Sequence, residues 1–151
     1  MNYVRILVDG YSLLHACRQR IPKMAPHSAM ARDWLIGLLT RYQDTIHVPV
    51  TVFFDGMGSK ASLENQEVYP HLEVLFSQGN KTADDLIERV THKLLAYGPV
   101  LVVTNDRAEQ NTIDALGGST TDCEPFLLQM ETEIRDFHSS QTAHWRDSRK
   151  S

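Results

Sequence analysis

The chain has 151 residues, with 15 Lys+Arg against 19 Asp+Glu and a formal net charge of -4. That length suits a single domain with an adequate core, and 42% hydrophobic with 23% charged residues excludes global disorder. The two cysteines, Cys17 and Cys123, exclude a disulfide scaffold and a four-cysteine zinc site. The negative balance excludes nucleic-acid binding by bulk charge alone. No apolar run approaches the roughly 18 residues that cross a bilayer, so no membrane partner is expected. The opening residues lack signal-peptide architecture, and a reducing cytoplasm is the expected compartment.

In chain order, Tyr3 to Val8 is apolar, β-branched and stopped by Asp9-Gly10, which predicts a buried strand. Ser12 to Arg20 predicts a short helix with Leu13, Leu14 and Cys17 inward. Ile21 to His27 carries two prolines and reads as a loop. Leu35, Leu38, Leu39, Tyr42 and Ile46 recur at helical spacing and predict a long helix over Ala29 to Ile46. Val48 to Phe54 is a second buried strand, ending at Asp55-Gly56, and Met57 to Gln66 is a polar loop. Leu72 to Phe76 is a third strand. Thr82 is a good N-cap for the next helix, whose first turn carries Asp84 and Asp85 and whose inward face carries Leu86, Ile87, Val90 and Leu94, up to Gly98-Pro99. Val100 to Thr104 is the fourth strand, followed by a short helix to Leu116 and the Gly117-Gly118 break. Thr121-x-x-Glu124 reads as a capping box for a last helix with Phe126, Leu127, Met130, Ile134 and Phe137 inward. The expected organisation is one domain over residues 1–137 and a polar, frayed tail over 138–151.

Strands alternate with helices, and the strands are apolar on both faces. The expected architecture is therefore a three-layer α/β fold: a mostly parallel sheet of about four to five strands with helices on both faces. In such a sheet the carboxyl ends of all strands share one edge, and ligands bind there where the strand order reverses. Asp9 ends the first strand, Asp55 ends the second, Asp84 opens the helix after the third, and Asp106 follows the fourth. Clustered carboxylates resist ionising beside one another. A divalent cation removes that penalty, and an all-oxygen set suits Mg²⁺ or Mn²⁺. Such a centre suits hydrolysis of a phosphodiester. Asp85 points away from Asp84 in the first turn, whereas Glu88 lies four residues on and shares its face, which makes it a further candidate ligand.

Other motifs fail on specifics. A receiver domain needs adjacent acids after the first strand, and a haloacid-dehalogenase-type phosphatase needs an acid where Tyr11 stands. Gly56-Met57-Gly58 is half of a dinucleotide fingerprint after the wrong strand. No G-x-S-x-G elbow exists, and the seven histidines show no zinc spacing.

Four stretches, Ile6 to Tyr11, Val50 to Gly56, Thr82 to Glu88 and Val102 to Gln110, occur in an order and spacing that resemble the YacP-like branch of the NYN family, within the wider PIN-like nuclease group. The resemblance implies a PIN-like fold and a metal-dependent endoribonuclease linked to messenger RNA cleavage, in some cases in the context of the ribosome. By position it implies Asp9, Asp84 and Asp106 as catalytic, metal-holding acids, with Asp55 and Asp85 as further candidates. Ser12 stands where the family usually has Asn.

The expected substrate is single-stranded RNA, with Mg²⁺ or Mn²⁺ as cofactor. Ser12 and Asn105 would orient water or phosphate. Lys60, Lys81 and Arg107 lie in loops at the same edge and would contact the RNA backbone, and Tyr11 would stack on a base. The rival reading is a module that grips RNA or a ribosomal partner with little catalysis, which Ser12 favours. A role inside a toxin–antitoxin or RNA-processing complex stays open, as does the oligomeric state.

Overall fold

The computed structural model describes residues 2–21, 24–56 and 69–150. Five strands form one parallel sheet: β1 (Arg5–Asp9), β2 (Val50–Phe54), β3 (Glu73–Phe76), β4 (Val100–Val103) and β5 (Ser119–Thr121). Their order is β3-β2-β1-β4-β5, so the chain reverses its direction of travel across the sheet between β1 and β4. Among the described residues, five helices cover it: α1 (Gly10–Ala16), α2 (Ala29–Ile46), α3 (Ala83–Leu94), α4 (Arg107–Leu116) and α5 (Cys123–Lys150).

Alternate residues of each strand feed opposite cores, as the period of two demands. Ile6, Val8, Val50, Val52 and Phe54 join Leu13, Leu14, Leu35, Leu39, Phe126 and Leu127 on the α1/α2/α5 side. Leu7, Phe53, Val100 and Val102 join Ala83, Ile87 and Ile113 on the α3/α4 side. This is the expected three-layer α/β fold, and double coverage is why β2 is buried at every position.

Local chemistry fixes the helix starts. The Ser28 hydroxyl accepts from Ala31 N at 3.1 Å and opens α2, whose bounds are those expected. Thr82 and Asp85 form a reciprocal capping box on α3. The same Asp9 that ends β1 caps α1, so that helix begins at Gly10 and closes by Cys17, shorter than the expected Ser12 to Arg20. Gly10 is required there because an added Cβ would stand 2.2 Å from the buried Phe54 ring.

Three further expectations change. The helix expected to run to Gly98-Pro99 ends at Leu94, and Leu86, Val90 and Leu94 are only partly buried against their cluster. Thr121 belongs to β5 and not to a capping box, so α5 begins at Cys123. That helix continues through to Lys150 rather than stopping near Phe137, and Phe137 is 40% exposed because α5 outruns the core beneath it. The predicted loop over Met57 to Gln66 lies outside the described residues. Among those described, no helix is long and apolar enough to cross a membrane.

Candidate metal centre

The crevice at the reversal point between β1 and β4 collects acids from three elements. Carboxylate oxygens of Asp9, Asp84 and Glu109 all lie within 4.8 Å of one another. Asp9 comes from the end of β1, Asp84 from the first turn of α3 and Glu109 from the first turn of α4.

Each acid is placed by a separate local device. Asp9 Oδ1 accepts from Ser12 N at 3.3 Å, and Thr104 Oγ1 donates to Asp9 Oδ2 at 3.2 Å. Asp84 arrives because Asp55 Oδ1 accepts from Ala83 N at 2.7 Å, which ties the start of α3 to the end of β2. Glu109 arrives because Asp106 Oδ1 accepts from both Ala108 N and Glu109 N, opening α4 in the right register. Thr104 Oγ1 also accepts from Asp106 N at 3.2 Å, so one buried hydroxyl serves both loops.

The trio is electrostatically unfavourable without a counter-charge. Glu109 is 2% exposed, and as a carboxylate neither of its oxygens finds a hydrogen-bond donor among the described residues. Burial first, then a hydrogen bond to Asp84 that only the protonated acid can donate, then the charge of Asp84, hold its carboxyl far above the usual carboxylate range. Burial also pushes Asp9 up to about 6, against the opposing Ser12 N–H bond, with Asp84 and Asp55 adding to the rise. Buried ionisable groups left without partners are costly. A divalent ion among three carboxylates removes that cost, and the donor set is all oxygen. The residues therefore fit a hard divalent cation.

The other sequence-predicted residues divide around this trio. Asp106 is exposed and serves as the α4 N-cap. Asp85 is exposed and accepts from Thr82 N in the capping box. Glu88 lines a shallow groove of about 450 Å³ with Lys81, Asp85, Arg89 and His92. Its carboxyl is raised by burial and by Asp85 and Asp84. Ser12 Oγ accepts from Asn105 N at 2.9 Å, and Asn105 Oδ1 accepts from Cys123 N at 2.8 Å, so both side chains are engaged with protein groups. The Tyr11 ring packs against His27 at 4.5 Å and edge-on against Phe54 at 5.0 Å, while its hydroxyl accepts from Arg32 Nη1 at 3.1 Å. Lys81 and Arg107 are exposed beside the starts of α3 and α4. Lys60 lies outside the described residues.

Sequence reasoning missed Glu109 and Arg32. Glu109 follows Asp106 by three residues, a spacing that reads as an ordinary capping box. No sequence signal separates that from an inward-facing acid.

A family model described as the YacP-like NYN domain matches residues 6–151. The YacP protein of Bacillus subtilis (strain 168) is 33% identical over 128 residues, covering 84% of this chain and 75% of the relative. The crystal structure of Rae1 (YacP) from Bacillus subtilis superposes with a TM-score of 0.75 at 27% identity, covering 99% of this chain and 85% of the other. A tryptophan-to-leucine variant of the same protein gives 0.73 at 30% identity, covering 87% and 77%. With the match running across nearly the whole chain and an acidic cluster at the expected sheet edge, the chain belongs to the YacP-like NYN domain family of nuclease-type hydrolases.

Proposed function

We propose that this protein is an endoribonuclease that cleaves single-stranded RNA with Mg²⁺ or Mn²⁺. The observation that carries the reading is Glu109, a buried acid whose carboxylate finds no hydrogen-bond donor among the described residues and whose oxygens lie within 4.8 Å of those of Asp9 and Asp84. Family membership supports a nuclease-type reaction. Asp9, Asp84 and Glu109 would hold the ion, which supplies positive charge for a phosphate oxygen and for the attacking water. Thr104 and the Ser12 N–H keep the Asp9 carboxylate facing the crevice. Asp55 and Asp106 anchor the two helix starts that deliver Asp84 and Glu109.

The RNA would approach across the carboxyl edge of the sheet. Lys81 and Arg107 offer cations at that edge, and Arg32 adds a third beside Tyr11. A net charge of -4 leaves these few side chains to meet the phosphates. Action on messenger RNA at the ribosome in the cytoplasm is the proposed cellular setting, following the family resemblance.

The test is cleavage of a labelled single-stranded RNA followed on a gel with Mn²⁺, Mg²⁺ or EDTA. Cleavage should need the ion and should vanish in Asp84→Asn while RNA binding survives. An Asp84→Asn protein that cuts at the wild-type rate refutes the site. Metal-dependent RNA binding without cleavage in the wild type would favour the rival reading of a non-catalytic module.

A further inference from the structure

The start of α5 lies outside the acidic trio but is wired to it. Gln110 is buried, and its side-chain amide donates twice: to the Thr104 carbonyl oxygen at 2.7 Å and to Asp122 Oδ1 at 2.7 Å. Thr104 is the residue whose hydroxyl donates to Asp9 Oδ2 and accepts from Asp106 N. Asp122 immediately precedes α5. Hydrogen bonds therefore link Asp122 to Gln110, Gln110 to the Thr104 main chain, and the Thr104 side chain to Asp9. A second set links Cys123 N to Asn105 Oδ1, Asn105 N to Ser12 Oγ, and Ser12 N to Asp9 Oδ1.

From this geometry we propose that Gln110 is a positioning residue for the metal centre, acting through Thr104 on Asp9, with Asp122 as its outer anchor. The inference rests on the metal reading above. An amide with both N–H groups committed at 2.7 Å cannot swing without breaking one bond. Its backbone target, the Thr104 carbonyl, sits in the connection between β4 and α4 and belongs to the residue whose hydroxyl holds Asp9, so a rotation of that peptide would move the hydroxyl. Partners one step beyond the ligands fix ligand orientation, and losing them weakens metal binding by roughly 10- to 100-fold. α5 thereby becomes part of the centre without contributing a ligand.

The test is Mn²⁺ affinity of the full chain by titration calorimetry, read beside thermal unfolding. Gln110→Met keeps the size and removes both donors, and should bind Mn²⁺ about tenfold more weakly. Asp122→Ala, at an exposed position just before α5, should weaken binding several-fold in the same direction. Asp122→Asn retains the Oδ1 acceptor and should recover wild-type affinity. Leu35→Val, a core change on α2 far along the chain, serves as the control for stability alone: it should lower the unfolding temperature and leave Mn²⁺ affinity unchanged. Wild-type Mn²⁺ affinity in both Gln110→Met and Asp122→Ala overturns the proposal and leaves the metal reading standing. An equal loss in Leu35→Val also overturns it, since the effect would then be general loosening. A wild type that binds no Mn²⁺ overturns the metal reading and the proposal with it.

Discussion

Replacing Glu109 by Gln should make the metal-free protein more stable, by an amount set by pH. In the folded chain the Glu109 carboxyl is held well above its ordinary value of 4.5 by burial and by Asp84. A raised folded value means that the group's contribution is fully present below about pH 4.5 and is lost as pH rises toward the folded value. Around neutrality the native side chain stays protonated while the unfolded chain ionises. pH 7 lies about 2.5 units above 4.5, and each unit corresponds to about 1.4 kcal/mol, so the native state has lost about 3 kcal/mol by then. Gln does not titrate and avoids that loss, and its amide can donate to the neighbouring Asp84. For a domain of this size, about 3 kcal/mol corresponds to roughly 10 °C in the unfolding temperature. The measurement is thermal unfolding by circular dichroism in EDTA at pH 4.5, 5.5 and 7. The variant should match the wild type at pH 4.5 and pull ahead as pH rises. Saturating Mn²⁺ should then raise the wild type strongly by mass action and the variant much less. A variant that is less stable than wild type at pH 7 in EDTA, or a gap that does not widen with pH, refutes the account of Glu109 as a buried acid whose carboxylate finds no donor.

Burial pushes the Cys17 thiol up to about 11 and the Cys123 thiol up to about 12, and both cysteines are free. Thiol titration should therefore find two thiols in denaturant and almost none reacting in the native state. Gly56→Ala would place a Cβ 2.0 Å from the Ser77 backbone oxygen. A backbone atom cannot rotate aside, so denaturant unfolding should show a loss of about 3 kcal/mol. With about three cations engaged, log affinity for single-stranded RNA should fall with log salt at a slope near -2. Fluorescence anisotropy should show Lys81→Ala and Arg107→Ala each flattening that slope by roughly 0.7, and an unchanged slope in both would remove them from the interface.

Much of the fold was legible because local signals and burial agree. Thr82 caps α3 where the sequence offers it, α2 runs over the expected Ala29 to Ile46, and the largely apolar run through Val50 to Phe54 does become a strand covered on both faces. β5 is different. Ser119–Thr121 has no apolar pattern and becomes a strand only because the turn at Gly117-Gly118 lays it beside β4. The same pairing displaces the expected capping box at Thr121. At the site, the shared address of Asp9, Asp55, Asp84 and Asp106 follows from a parallel sheet and could be read from the chain. Which of them faces the crevice could not, because that depends on hydrogen bonds between residues far apart in sequence, such as Asp55 with Ala83.

Asp106 and Glu109 make that division testable. In sequence, Asp106-x-x-Glu109 reads as two halves of one capping box. In the structure Asp106 Oδ1 takes the Ala108 and Glu109 N–H groups alone, and Glu109 turns inward to Asp9 and Asp84 instead of reaching back. Asp106 thus performs a task that any good cap can perform. Asp106→Ser retains a cap oxygen and should cost well under 1 kcal/mol, whereas Asp106→Ala should cost about 1 kcal/mol. Because Glu109 keeps its register in Asp106→Ser, Mn²⁺ affinity measured by calorimetry should stay within a few-fold of wild type, with Glu109→Gln and Asp84→Asn far weaker. If Asp106→Ser loses Mn²⁺ as completely as Asp84→Asn does, then Asp106 itself holds the ion, and assigning it to the helix and Glu109 to the metal is wrong.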